Sequence, residues 1–360
     1  MNRSLLLGCV LWGWLGGTLL GQPLTRFEFS HAAMGTEFRI VLYAEGQGIA
    51  DEMAQSALAR VDELNAILSD YDSNSELSRL SATAGSGQKV AVSEDLWIIL
   101  KAAQALSEKS QGAFDVSIGP LSKLWRRGFR RQEMPEASAI AAAQAQVGSS
   151  NIRLHPRKRK VELVVPNMRL DLGGIAKGYA AEAAYRVMAQ EYGHPIALVD
   201  AGGDLFLGAP PPGKNGWEVQ LPSLDQRGVL TYEVQSLSLC AIATSGDAYR
   251  YLEAEGVRYS HLIDPRTGYG QTEQRLVSVI AGQGMLADAW ASIASIATIE
   301  ELGQLGIGQL GNPCQVQILF LSREPAEEVE LGPEIGEEAF LEQLSQEFPA
   351  DLMEAVLGQW

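Results

Sequence analysis

The stretch Leu170-Asp171-Leu172-Gly173-Gly174-Ile175-Ala176-Lys177-Gly178-Tyr179 gathers a carboxylate, two glycines and an amine on one turn. It follows a strand-like run, Val161 to Val165, and opens a helix-like run, Tyr179 to Ala189. Glycines let backbone approach a ligand closely, and a helix N-terminus presents free amides to anions. Alone, such a turn is an ordinary structural junction. It has company, however, in Met34-Gly35-Thr36, Ala201-Gly202-Gly203-Asp204, Thr244-Ser245-Gly246-Asp247, His261-Leu262-Ile263-Asp264-Pro265-Arg266-Thr267-Gly268 and Ala287-Asp288-Ala289. Asp288 and Ser292 are four apart in a helical segment, which puts both oxygens on one face. Among the four histidines only His261 lies in a motif, and it can accept a proton near neutral pH, with Asp264 orienting it or acting itself.

Taken in this order, the blocks resemble the ApbE family, the FAD:protein FMN transferases, over residues 27 to 320. The resemblance implies an α+β fold of ApbE type: largely antiparallel sheets flanked by helices, with two closely packed subdomains and the flavin site between them. It implies cleavage of FAD and transfer of FMN to a threonine or serine hydroxyl of a target flavoprotein, releasing AMP. That acceptor would be an exported flavoprotein or a subunit of a membrane redox complex. Flavin contacts fall on Met34, on Tyr71 of Ser69-Asp70-Tyr71-Asp72, on Ala113-Phe114-Asp115, and on Asp171, Lys177 and His261.

FAD carries two linked phosphates, and magnesium neutralises such charge while needing only one or two carboxylates. The family match places the metal at Asp288 and Ser292, completed by the backbone carbonyl of Gly174. Many relatives have threonine where this chain has Ser292; a hydroxyl is preserved. Ala248 before Tyr249, and Gly270 in place of a proline, depart from the family's loops. Two other functions fit the same residues: an FAD pyrophosphatase with water as nucleophile, and an FAD-binding protein without turnover. Each residue also has a plainer role open to it: Met34 and Phe114 as core, Tyr71 at a helix end, Asp288 as a surface carboxylate. Gly208-Ala209-Pro210-Pro211-Pro212-Gly213-Lys214-Asn215 nearly fits a phosphate-binding loop, but its prolines lack amides and Asn215 replaces the required hydroxyl.

The elements that must position these groups follow from periodicity. A strand is expected over Glu37 to Ala44. A helix follows over 50–69, with Met53, Ala57, Val61, Leu64 and Leu68 on one side. A second starts at the N-cap Ser93, and a third near Pro135. Asn151 to Val165 reads as a hairpin. Strands are expected at Ala197 to Leu207, Trp217 to Leu221, Val229 to Ala243, Leu276 to Ile280 and Val316 to Leu321, with a helix from Met285 to Thr298. Segregated helices and strands of this kind argue for α+β. The basic runs Lys123 to Arg131 and Arg153 to Lys160 read as solvated loop surface, or as a docking surface for an acidic partner protein.

The chain has 360 residues and a formal net charge of −16, which argues against nonspecific nucleic-acid binding. Residues 321–360 hold eleven acidic side chains against Arg323 alone. Three regions are expected: an export signal or membrane anchor over 1–24, the ApbE-like domain over 25–322, and an acidic extension over 323–360 with an amphipathic pattern (Phe340, Leu341, Leu344, Phe348). The export signal implies a periplasmic protein, anchored to the inner membrane where the segment is retained. Leu6-Leu7-Gly8-Cys9 looks like a lipobox, though most of the apolar run follows Cys9. Cys240 and Cys314 read as buried free thiols, with pairing as the alternative.

Overall fold

The computed structural model describes residues 23–193, 195–224, 229–246, 250–305, 315–320 and 327–331. The export segment, Cys9, Cys314, the Asp247-Ala248-Tyr249 loop and the amphipathic pattern of the tail lie outside the described residues. Among the described residues no helix is long and apolar enough to cross a membrane.

In chain order the strands are β1 (Thr25–Ala33), β2 (Thr36–Ala44), β3 (Val90–Ala91), β4 (Ile152–His155), β5 (Lys160–Leu163), β6 (Ala197–Ala201), β7 (Leu205–Leu207) and β8 (Trp217–Leu224). They continue as β9 (Leu230–Leu237), β10 (Cys240–Gly246), β11 (Tyr251–Ala254), β12 (Val257–Ser260), β13 (Arg275–Ala281), β14 (Gln315–Phe320) and β15 (Glu327–Leu331). The helices are α1 (Gln47–Leu68), α2 (Glu76–Ser81), α3 (Glu94–Lys109), α4 (Gly119–Arg131), α5 (Ala137–Gln144), α6 (Ala176–Tyr192), α7 (Gly284–Ile296) and α8 (Ile299–Gln304).

An antiparallel sheet of order β1-β2-β6-β7-β10-β13-β14-β15 forms the frame. Strand side chains alternate between faces, and here both faces are covered. Phe38, Ile40, Leu42, Ala241, Ala243, Val277 and Val279 turn to α1, α6 and α7. Val41, Cys240, Ile242 and Ile280 turn the other way, onto Trp217, Val219 and Leu221 of the β8–β9 ribbon. Cys240 is thus a buried free thiol, its pKa pushed up to about 12 by burial. A small sheet of order β3-β5-β4 lies apart from the main one, with the hairpin expected over Asn151 to Val165 forming β4 and β5. A third apolar cluster joins Leu121 and Trp125 of α4, Ile140 and Ala143 of α5, Leu252 and Ile263. Segregated helices on antiparallel sheets make the fold α+β, as expected.

Four local expectations need correction. Lys123 to Arg131 is no loop: it is most of α4, with Pro120 in the first turn and Leu121, Trp125 and Gly128 buried at helical spacing. The run Val229 to Ala243 is two strands in two sheets, broken where Leu239 takes a left-handed φ of 53°. Ala197 to Leu207 is likewise two strands, folded back at Gly202 and Gly203 with φ of 72° and 105°. The third helix begins at Ala137 with Glu136 as its N-cap, which leaves Pro135 outside the first turn. The stretch 323–360 also supplies β15, which pairs with β14 as the last strand of the main sheet.

Candidate active site

The turn before α6 is the hub. Asp171 is tied in by its amide, which donates to Val116 O at 2.8 Å, and its Oδ1 accepts from Gly173 N at 2.9 Å. Its Oδ2 accepts from Arg126 of α4 at 2.8 Å, and the same guanidinium binds the Asp70 carboxylate. Burial and the Asp171 charge raise the Asp70 pKa against the pull of Arg126. Tyr71, 76% exposed, has its ring centroid 4.3 Å from that guanidinium. The expected flavin aromatic is therefore a displayed ring over a fixed cation.

Helix α6 has no side-chain cap at its start. One of its orphan amides is satisfied from another element: Gly178 N donates to Asp288 Oδ2 of α7 at 3.1 Å. That requires close helices, and glycine provides them. A Cβ on Gly178 would stand 2.0 Å from Gly284 O, and one on Gly284 would stand 2.1 Å from Gly178 O. Glu182, buried one turn along α6, accepts from Gly284 N at 2.7 Å and from Arg186 at 2.6 Å, fixing the start of α7.

Lys177 sits between two carboxylates. Its Nζ bonds Asp204 Oδ2 and lies 3.6 Å from Asp288 Oδ2. Burial would lower its pKa, but the two acids outweigh that and raise it. One cation cannot neutralise both: burial, then repulsion from Asp288, pushes Asp204 from 3.8 up to about 7. Asp204 belongs to the Ala201-Gly202-Gly203-Asp204 turn, which packs on Met34-Gly35-Thr36. A Cβ on Gly202 would meet Thr36 Oγ1 at 2.0 Å. Met34 itself takes a φ of 50°, its amide donates to Asn65 Oδ1 at 3.2 Å, and its side chain lies against the core.

Ser292 faces the same turn from the next step of α7. A Cβ on Gly174 would come within 2.5 Å of Ser292 Oγ and 3.4 Å of the Phe114 ring. No protein donor reaches Asp288 Oδ1 or Ser292 Oγ among the described residues, though Asp288 is only 5% exposed. These are hard oxygen atoms, on one helix face beside a glycine backbone, and they suit a cation that keeps several waters. Among the described residues no three His, Cys, Asp or Glu side chains gather, so a cage built wholly from such ligands is not what this corner offers. Ala113 and Phe114 are buried, and Asp115 brackets their loop: it accepts from Ser117 N, Ser117 Oγ and Ser149 N at 2.8, 2.7 and 2.7 Å. Burial raises the Asp115 pKa.

The second-half block divides by role. Asp264, 6% exposed, receives Arg266 as a fork, Nε to Oδ1 and Nη2 to Oδ2, both at 2.9 Å, plus Arg266 N at 2.8 Å. Trp125 Nε1 donates to Gly268 O at 2.9 Å and locks this loop to α4. Arg266 also lies near the loop that leads into Ala113, since a Cβ on Gly112 would lie 3.6 Å from Arg266 Cγ. His261 places Nδ1 3.2 Å from Arg250 O.

Comparison with known proteins now decides the kinship. Residues 34–307 match the model of the ApbE family. The chain belongs to the ApbE family. FAD:protein FMN transferase from Treponema pallidum is 31% identical over 310 residues, covering 81% of this chain and 84% of that protein. FAD:protein FMN transferase from Vibrio cholerae is 34% identical over 264 residues, covering 72% and 77%. Among solved structures, the flavin transferase ApbE from Vibrio cholerae superposes with a TM-score of 0.75 at 26% identity, covering 86% of this chain and 97% of that one. The ApbE protein from Thermotoga maritima gives 0.73 at 27%, covering 85% and 97%.

Within this ApbE family member, Gly174, Lys177, Asp288 and Ser292 converge, and Phe114 joins them. Asp171 and Tyr71 meet through Arg126. His261 and Asp264 sit on the adjoining loop, where Asp264 is spent on Arg266. Sequence reasoning assigned no role to Asp204, Arg126 or Glu182. Asp204 stood in a quoted motif and could have been found. Arg126 was hidden inside a run read as surface.

Proposed function

We propose that this protein transfers FMN from FAD to a threonine or serine hydroxyl of an acceptor flavoprotein, with AMP as the leaving group, in a magnesium-dependent reaction. The hydroxyl oxygen forms a bond to the FMN-side phosphorus, the pyrophosphate P–O bond to AMP breaks, and the hydroxyl proton passes to a base. Magnesium, when bound, would lie against Asp288, Ser292 and the Gly174 carbonyl and neutralise pyrophosphate charge. Lys177 adds a fixed positive charge beside the turn that opens α6. His261 would take the hydroxyl proton as the base. Asp264 holds the loop that carries it rather than taking the proton, because both its oxygens are occupied.

The observation that carries this reading is the meeting of Asp288 and Ser292 with the Gly174–Lys177 turn. FAD and magnesium are incubated with an exported flavoprotein, and both AMP and the protein's mass are measured. AMP together with an FMN adduct on a Thr or Ser supports transfer. AMP without an adduct makes the protein a pyrophosphatase, and neither product makes it a flavin-binding protein. The reaction is placed in the periplasm on the strength of the N-terminal export pattern, and cell fractionation tests that placement.

A further inference from the structure

The chain carries a net charge of −16, yet α4 holds Lys123, Arg126, Arg127, Arg130 and Arg131 and no acid. Leu121, Trp125 and Gly128 fix which face of the helix turns inward. Lys123, Arg127, Arg130 and Arg131 are left exposed, and helical geometry gathers them within an arc of about 100°. No carboxylate pairs with any of the four among the described residues. The helix dipole accounts for cations only in the last turn, where Arg130 and Arg131 lie. Lys123 with Arg127, and Arg127 with Arg131, are like charges at i,i+4 spacing, which weaken a helix. The first carboxylates that follow, Glu133 and Glu136, lie beyond the left-handed cap at Gln132.

The fifth cation connects this face to the candidate site. Arg126 donates to Asp171 of the glycine turn at 2.8 Å and lies beneath the exposed Tyr71 ring. A polypeptide whose hydroxyl reaches that turn must pass close to α4. We propose that the exposed cationic face of α4 docks an acidic segment of the acceptor protein, adjoining the hydroxyl that receives FMN. The proposal rests on the transferase reading and names the chemistry of its second substrate. Such a face steers an anionic partner at low ionic strength and loses its grip as salt rises.

The test uses two fluorescent peptides, each with one threonine, flanked in one by four glutamates and in the other by four glutamines. Binding to the full chain with FAD is read by anisotropy at low and at physiological salt, and FMN transfer by mass. The glutamate peptide is expected to bind more tightly, with a salt dependence the glutamine peptide lacks. Lys123→Gln, Arg127→Gln and Arg131→Gln together are expected to weaken its binding about tenfold, with FAD affinity unchanged. Equal binding of both peptides by the parent overturns the proposal, and so does a preference that survives the triple substitution. A preference that emerges only when residues 332–360 are removed gives the face to the chain's own acidic tail, and also overturns it. Charge-selective binding without FMN transfer leaves the docking intact and defeats the transferase reading. Transfer without charge selection does the reverse.

Discussion

Lys177 holds two carboxylates with one charge, and burial, then the Asp288 charge, drives Asp204 from 3.8 up to about 7. A folded-state pKa above the unfolded one means the native protein binds the extra proton. Its contribution to stability is therefore present at low pH and lost as pH rises from about 4 to about 7. Asp204→Asn is expected to remove that loss, so the gain in Tm should be larger near pH ~8 than near pH ~5 in thermal unfolding. Parallel pH profiles for parent and variant would contradict the assignment. Asp288→Ala is expected to abolish AMP release at limiting magnesium while the fold persists by circular dichroism; full activity there would move the metal elsewhere. His261→Ala should bind FAD normally and transfer FMN about a hundredfold more slowly. Weakened FAD binding with a rate restored at saturation would instead make His261 a cofactor contact.

At the scale of elements, the α6–α7 crossing sets the site. Gly178 and Gly284 let the two backbones touch, and only then can Asp288 reach the Gly178 amide and Lys177. Gly178→Ala puts a methyl 2.0 Å from Gly284 O, a backbone atom that cannot swing away. The expected cost is about 1–3 kcal/mol of stability, read from denaturant unfolding, with magnesium-dependent turnover falling alongside. Normal stability would show that the helices can separate without penalty. The same scale shows what periodicity reveals. α1 and α7 were legible because their apolar residues recur at helical spacing, and α3 because Ser93 caps it, accepting from Leu96 N at 3.3 Å. α4 was hidden because five cations mask a narrow buried stripe. The β9–β10 break was hidden because its residues are apolar throughout, and only Leu239's backbone conformation separates them.

For the molecule as a whole, the acidic C-terminal stretch is not uniform. β15 pairs with β14 from Phe320↔Glu327 to Val316↔Leu331 and completes the main sheet. Truncation after Leu331 is expected to leave FAD turnover unchanged. Truncation after Glu324 strips β14 of its outer neighbour and should lower Tm and promote association through the exposed edge. Equal behaviour of the two truncations, by thermal unfolding and light scattering, would mean that β15 contributes nothing to the sheet.

Sequence by itself determined the family, the α+β class and the identity of the glycine turn, since these depend on local pattern and on the order of motifs along the chain. It also singled out Asp288 and Ser292, because four residues on a helix fix a shared face. Tertiary structure alone decided that Gly174 lies against Ser292, and that Asp204 and Asp288 share Lys177. It likewise committed Asp264 to Arg266 and placed Arg126 between Asp70 and Asp171. Those contacts join residues far apart in the chain, through glycine-sized gaps between helices, and no local periodicity encodes such a meeting.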